Sequence, residues 1–353
     1  MSRTAAAPKQ RDPYYDNVRA ILITLVVVGH MLETIGSSTS HALTAWIYSF
    51  HMPAFIFVSG MLAQGYRGSP RQAARIVTTL LVPFVVFQVL HKVTRTVVLG
   101  KDFSIDLLTP AWTLWFLLAL AMWRLLIPVF RSLRFPLTTT LVISVLAPLM
   151  ETLDSTLTIA RAVSFAPFFV AGLLFRPGML DVLRTRLAKV LAWAALLGGL
   201  GLALLAGPRV KVSYFLFNAS YAERDLSALD GITIRLAAVI VGAVGTAAIL
   251  ALAPRGRQRW TFVGERTMYV YLLHPFALWG VRYLGWGDEW TTAWHSGLLV
   301  VASLVVTVVL ASRPVVWLTG WLVSPPLAGV LVKRDPAPGA SDGDGAGREP
   351  RTV

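Results

Sequence analysis

Long apolar runs alternate with short polar segments rich in arginine from about Tyr15 to Leu322. A bilayer-crossing helix needs about 17 to 25 predominantly apolar residues. Ten such runs can be placed, centred near Val27, Phe55, Val86, Leu120, Ile143, Phe169, Leu197, Val241, Leu273 and Val305. The pattern predicts an all-α polytopic membrane helix bundle of about ten transmembrane helices over 15–332, flanked by tails at 1–14 and 333–353. The fifth run (Leu137 to Met150) and the sixth (Arg161 to Phe175) are short and contain Pro148 and Pro167. Proline is tolerated within a span where neighbouring helices satisfy the freed backbone groups. The C-terminal tail, made of Pro, Gly, Ala and Asp, cannot bury enough surface to order itself and is expected to be disordered.

The loops orient the bundle. Lys and Arg accumulate on the cytoplasmic side of membrane proteins, and they recur in alternate segments. One set carries Arg3, Lys9, Arg11 and Arg19, then Arg67, Arg71 and Arg75, then Arg131 and Arg134, then Arg176, Arg184, Arg186 and Lys189, then Arg255, Arg257, Arg259 and Arg266. The intervening loops hold few cations and several acids, among them Asp102, Asp106, Glu151 and Asp225. Both termini are therefore expected in the cytoplasm of a cell-membrane protein. Arg3, Lys9 and Arg11 ahead of an apolar run resemble a signal peptide, but no convincing cleavage site follows, so the first helix is expected to stay. The outer loop from Gly207 to Asp230 contains Tyr214, Phe215, Phe217 and Tyr221, fitting either a substrate-covering segment or an aromatic belt.

Composition sharpens this picture. Of 353 residues, 56% are hydrophobic and 14% charged, against about a quarter charged in soluble domains. The +14 balance follows from loop topology, so a nucleic-acid partner is not expected. There is no cysteine, which excludes disulfides, thiolate metal sites and a cysteine nucleophile. The Ala, Gly and Arg usage leads one to expect a high-GC bacterial source.

Ionisable groups inside a bilayer are costly and are functional candidates by default. His30, His51, His91 and His274 all fall within spans. Arg19 and His30 are eleven residues apart, which puts them about 20° apart around one helix and about 16 Å apart along it. Glu33 is within reach of the His30 imidazole as an i, i+3 neighbour. His51 lies at the depth of His30 if both spans are straight, either lining a polar cavity or packed as a core histidine. Arg19 is either a snorkelling anchor or a ligand contact. His91, Lys92 and Arg95 face headgroups or hold an anionic acceptor. Trp112, Trp115 and Trp123 read as interfacial anchors, and His274, before Pro275, falls in the inner half of the ninth span. Phosphate-cradling, zinc-protease and nucleophile-elbow motifs are missing from the sequence, and no metal site is expected.

With these residues in view, the sequence resembles the acyltransferase-3 family of integral membrane O-acyltransferases, in particular its fucose 4-O-acetylase-like branch. Asp16-Asn17-Val18-Arg19 through Gly29-His30 is similar to the family's opening pattern, an Arg and a His with ten residues between them. His51 to Gly60 resembles its second-span signature, Trp115-Phe116-Leu117 its fourth-span Trp motif, and Tyr269 to His274 with Pro275 its late Tyr/Leu-His-Pro element. The resemblance implies an acyltransferase, most simply an O-acetyltransferase, with acetyl-CoA or another acyl-CoA as co-substrate and a hydroxyl of a carbohydrate or glycosylated acceptor as its target. His30 would then be the general base, as histidine side chains in general suit proton transfer near neutral pH, with Glu33 orienting it. Arg19, Arg71, Arg75, Arg131 and Arg134 would bind the phosphates of coenzyme A. His51, Ser59, Trp115 and His91 remain substrate or oxyanion candidates. A covalent acyl-histidine is an alternative to direct transfer. A transporter or flippase without acyl-transfer chemistry would use the same polar residues along a pathway.

Overall fold

The computed structural model describes residues 11–100, 102, 106–152, 156–283 and 289–325. The predicted C-terminal tail, and residues 1–10 of the N-terminal one, lie outside the described residues, and α1 already begins within the latter at Pro13. All regular structure among the described residues is helical. The first half of the bundle comprises α1 (Pro13–Leu32), α2 (Ser38–Tyr48), α3 (His51–Leu62), α4 (Pro70–Ile76), α5 (Val82–Leu99), α6 (Trp115–Leu125), α7 (Ile127–Ser132) and α8 (Pro136–Leu146). The second half comprises α9 (Ile159–Leu174), α10 (Met179–Leu183), α11 (Arg186–Ala206), α12 (Ala228–Leu252), α13 (Thr261–Glu265), α14 (Thr267–Tyr283), α15 (Ala293–Leu310) and α16 (Arg313–Val323).

Each of the ten predicted centres falls inside a helix. Among the described residues, seven segments are long and apolar enough to cross a membrane, and Trp115–Leu125 and Pro136–Leu149 are shorter apolar helices. The shortness of the fifth run is thus real: Pro148 tightens the end of α8 into a 3-10 turn, Ala147–Leu149. The eleven-residue helix α16 was not foreseen as a separate element.

The second span departs most from expectation. It begins at Ser38 rather than near His51, and it is broken between Tyr48 and His51, where Phe50 leaves the helical region at φ −138°. Pro53 explains the break, since its ring clashes with the carbonyl four residues back and it has no N–H to donate. The Ile47 carbonyl at the break accepts both the Phe50 N–H at 3.2 Å and the His51 Nδ1–H at 2.9 Å, so the histidine caps the interruption. Ser37 and Ser40 at the start of α2 both meet the Ser296 hydroxyl at 2.8 Å, pinning this half-helix to α15.

α1 sits at the centre, packed on α2, α3, α13, α14 and α15. Without a hydrophobic drive between helices in lipid, packing depends on close backbone approach at small residues. α3 and α9 meet in this way: a Cβ added to Gly172 would lie 1.9 Å from the Phe57 carbonyl oxygen, and one added to Gly60 2.1 Å from that of Phe169. α11 and α15 present Leu187, Leu191, Leu205, Val301 and Val305 outward, as lipid-facing helices do.

Candidate active site

His30 lies two residues before the end of α1, and the break in the second span brings Tyr48 against it. The Tyr48 oxygen is 2.7 Å from His30 Nδ1 and 3.0 Å from Glu33 Oε2. A carboxylate only accepts, so Tyr48 donates its single proton to Glu33 and accepts the Nδ1–H of His30. Glu33 also approaches Nδ1 directly, at 3.5 Å. This chain fixes the tautomer and leaves the Nε2 lone pair of His30 available.

Around these groups is a cavity of about 140 Å³ lined by His30, Glu33, Tyr48, His51, Trp115 and Arg161, among others. Of the sequence-derived candidates, His30, Glu33, His51 and Trp115 are brought together here. On the Arg19 side of His30 a second space of about 20 Å³ is lined by Val26, Met52, Thr113 and Tyr271. On the Glu33 side the chamber shares Glu33 and Leu216 with a larger cavity of about 660 Å³. The loop after α11 forms part of the wall: Phe215 and Leu216 line the chamber, and Phe217 is buried. Of the two readings of this aromatic loop, a cover over the site is the one that the side chains adopt.

Four further residues to which the sequence assigned no role at the site shape the chamber. Tyr48 was hidden because α2 was not recognised as part of the second span. Arg161 marked only the start of the sixth run, yet its guanidinium lies over the Trp115 ring at 5.0 Å and its Nε donates to the Leu216 carbonyl at 3.4 Å. Trp112 packs edge-on against His30 at 5.1 Å with a left-handed backbone, φ +33°. A bulky residue adopts that region only under constraint, and the constraint is Gln88. Its side chain donates to the carbonyls of Asp106 and Thr109 and accepts from Ala111 N–H, holding the preceding turn. His274 stacks on His30, 5.6 Å between centroids, with its Nδ1–H donated to the Tyr271 carbonyl at 2.7 Å. It therefore shares the level of His30 rather than lying deeper towards the start of α14.

Other candidates lie elsewhere. Ser59 donates to the Phe55 carbonyl of its own helix at 2.9 Å and does not line the chamber. His91 is buried and stacked on Phe276 at 4.4 Å, away from both headgroups and the chamber. Trp123 is also buried, donating to the Ala162 carbonyl at 2.9 Å, and Trp115 and Trp112 face His30, so the interfacial-anchor reading of these tryptophans is corrected. Composition cannot distinguish an indole at the headgroups from one turned into the bundle.

At the other end of α1, Arg19 pairs with the buried Asp16. Asn17 donates to the carbonyls of Pro254 and Gly256 and accepts from Thr261, lacing α1 to α13. Arg131 donates to the carbonyls of Tyr66 and Gln64 and so braces the turn after α3. Arg71, Arg75 and Arg134 are exposed.

A family profile described as an acyltransferase domain, that of acyltransferase-3, matches residues 12–312. The chain belongs to the acyltransferase-3 family. The match runs from the cap of α1 to the end of α15, so the Arg19 to His30 helix and the late Tyr271 to His274 element both fall within the acyltransferase domain. The chain is similar to nodulation protein NolL of Sinorhizobium fredii, 32% identical over 190 residues, which cover 48% of this chain and 50% of that protein. It is 39% identical over 67 residues to nodulation protein NolL of Mesorhizobium japonicum, 17% of each chain. The chain thus spans half or less of the length of these curated relatives. No solved structure matches it.

Proposed function

We propose that this membrane acyltransferase is an O-acetyltransferase that moves the acetyl group of cytoplasmic acetyl-CoA to a hydroxyl of a carbohydrate or glycosylated acceptor. The observation that carries the reading is the Glu33–Tyr48–His30 hydrogen-bond chain inside a chamber. In this reading His30 Nε2 takes the proton of the acceptor hydroxyl. The resulting oxygen nucleophile attacks the thioester carbonyl, and a C–O bond forms as the carbonyl π pair moves onto oxygen. Arg161, held over Trp115 and facing the chamber, stabilises that oxyanion. Collapse breaks the C–S bond, and the imidazolium of His30 returns its proton to the departing CoA thiolate.

The charge pattern of the loops supports an Arg19 end in the cytoplasm and a Glu33 end outside. Coenzyme A would then bind at the Arg19 end, with Arg71, Arg75 and Arg134 exposed for its phosphates, and its arm would reach His30 through the narrow space beside Val26 and Thr113. Arg131, already engaged with two carbonyls, contributes more to the shape of that end than to the ligand. The acceptor would enter through the larger cavity beyond Glu33.

The test is to incubate the purified chain in detergent with radiolabelled acetyl-CoA and a panel of sugar acceptors. Labelled ester is expected with wild type and is lost with His30→Ala. Failure of wild type both to bind acetyl-CoA and to label any acceptor would remove the reading.

A further inference from the structure

A second polar site lies in the wall that covers the chamber. Arg235, in the second turn of α12, is only 6% exposed, and its guanidinium lies 3.9 Å from the centre of the Phe217 ring. Its NH1 nitrogen is buried without a hydrogen-bond partner. Arg224, from the loop between α11 and α12, lines the same pocket and donates to Asn218 Oδ1 at 2.6 Å. The lining contains Ser213, Tyr221 and Asn218 but no carboxylate. Glu223, beside Arg224 in sequence and close enough to act on its charge, accepts from the Ser220 N–H at 3.1 Å and does not line the pocket. Burying a cation without a counter-charge costs several kcal/mol, and a buried N–H left without an acceptor adds to that cost. Among the described residues Arg235 faces the neutral Tyr221 hydroxyl but no acid, and two guanidiniums gathered in a lining without a carboxylate are arranged for an anion that comes from elsewhere.

The pocket is built to persist. Gly231 permits the Tyr221 ring to lie on α12, since a Cβ there would come within 2.4 Å of it. The Tyr221 hydroxyl is tied to the Val145 carbonyl at 2.7 Å. The space of about 20 Å³ holds one water-sized group. It suits a single oxyanion entering end-on and is too small for a sugar ring.

Its neighbours give the site a role. Ser213 lines both this pocket and the 660 Å³ cavity, which in turn shares Glu33 and Leu216 with the His30 chamber. Leu216 faces the chamber while the next residue, Phe217, covers Arg235, and Phe217 packs at 4.6 Å on Phe165, which also lines the chamber. The large cavity is of the size that holds small-molecule ligands, about 300 to 1,000 Å³.

We propose that Arg235 and Arg224 bind a carboxylate, sulfate or phosphate group carried by the acceptor, so that the enzyme acts on an acidic saccharide. The saccharide occupies the large cavity, its anionic group enters the arginine pocket, and one hydroxyl points past Glu33 to His30. The assignment to the acceptor rests on the acetyl-transfer reading; anion binding does not.

The experiment uses the full chain in phosphatidylcholine nanodiscs, with unfolding midpoints followed against sodium glucuronate, sodium phosphate and glucose at constant ionic strength. The two anions are expected to raise the midpoint saturably and glucose to leave it unchanged. Arg235→Gln and, because a core variant can misfold, the loop variant Arg224→Gln are each expected to weaken anion binding by about tenfold or more, the loss of a charged hydrogen bond. No anion effect beyond that of chloride, or an equal effect in the folded variants, overturns the site. In discs containing phosphatidylglycerol, an Arg224-dependent rise in the midpoint without added anion assigns the pocket to lipid phosphate and overturns the acceptor role. In transfer assays, Arg224→Gln is expected to raise KM for a uronate-bearing acceptor with kcat little changed, while a neutral acceptor shows no such split. Equal use of neutral and acidic acceptors by wild type and variant overturns the acceptor role with acyl transfer intact. Anion binding without transfer to any acceptor removes the acetyl-transfer reading instead and, with it, the acceptor assignment.

Discussion

The Tyr48 hydroxyl stands between His30 and Glu33, 2.7 Å from the imidazole Nδ1 and 3.0 Å from the carboxylate. The carboxylate thus acts on the histidine chiefly through a phenol, its direct approach being a longer 3.5 Å. Tyr48→Phe removes the bridge while keeping the ring that packs against His51 at 4.8 Å. Turnover is expected to fall by about 10- to 100-fold, the worth of a hydrogen bond to a charged partner, with little change in KM for acetyl-CoA. Glu33→Gln should cause a similar loss, and the double variant little more, because the two act through one chain. Additive losses in the kinetic double-mutant cycle would separate Glu33 from Tyr48.

Arg19 is paired with Asp16, so its charge is partly satisfied before any ligand arrives. Arg19→Lys retains the charge that favours a cytoplasmic loop but loses the planar fork. If Arg19 contacts the phosphates of coenzyme A, KM for acetyl-CoA rises several-fold in this variant with normal insertion, and Asp16→Asn does not reproduce the effect. Equal loss of thermal stability in both variants with unchanged KM would make the pair a structural brace.

The membrane character and the helical positions were legible because apolar period and run length are written directly in the sequence, and Arg19, His30 and Glu33 share one helix whose geometry is regular. The chamber needed more. Tyr48 reaches His30 only because Pro53 breaks the second span, and Arg161 reaches the chamber because α9 packs so closely on α3 at Gly60 and Gly172. Trp112 faces His30 through a backbone conformation that Gln88 stabilises from another helix. Such juxtapositions depend on tertiary contacts with no local periodic signature.

Gly172 is the most direct test of that packing. Its missing side chain lets α9 lie against the Phe57 carbonyl, and Gly172→Ala puts a methyl carbon where 1.9 Å is available. The helices must separate, at a cost of about 1–3 kcal/mol or more for an overpacked interface. A lower unfolding midpoint in detergent and reduced turnover are expected together, since α9 carries Arg161. An unchanged midpoint would mean that α3 and α9 separate there without cost.

The loop charges predict an orientation that can be measured. Reporter fusions after Arg71 and Arg257 are expected to read cytoplasmic, and fusions near Asp102 and Glu223 external. An external signal at Arg257 would reverse the entry routes of donor and acceptor, and the arginine pocket would then face the cytoplasm.

In the proposed mechanism His30 is the base, and two other histidines near it make the assignment testable. His51 lines the same chamber, but its Nδ1–H is held by the Ile47 carbonyl at the break in the span, giving it a structural task. His274 donates to its own helix and stacks on His30. Only His30 is linked to a carboxylate by a hydrogen-bond chain among these three. His30→Ala should therefore insert and fold, since loss of a polar group from a membrane interior need not harm packing, while turnover falls by about 10² to 10⁴, the usual contribution of a positioned base. Acetyl-CoA binding should persist, because in the proposed arrangement the phosphates would lie about 16 Å away towards Arg19 on helical spacing. An inactive His51→Ala beside an active His30→Ala would transfer the base role to His51. If both variants and His274→Ala retain wild-type transfer, base catalysis by histidine is ruled out for this chamber.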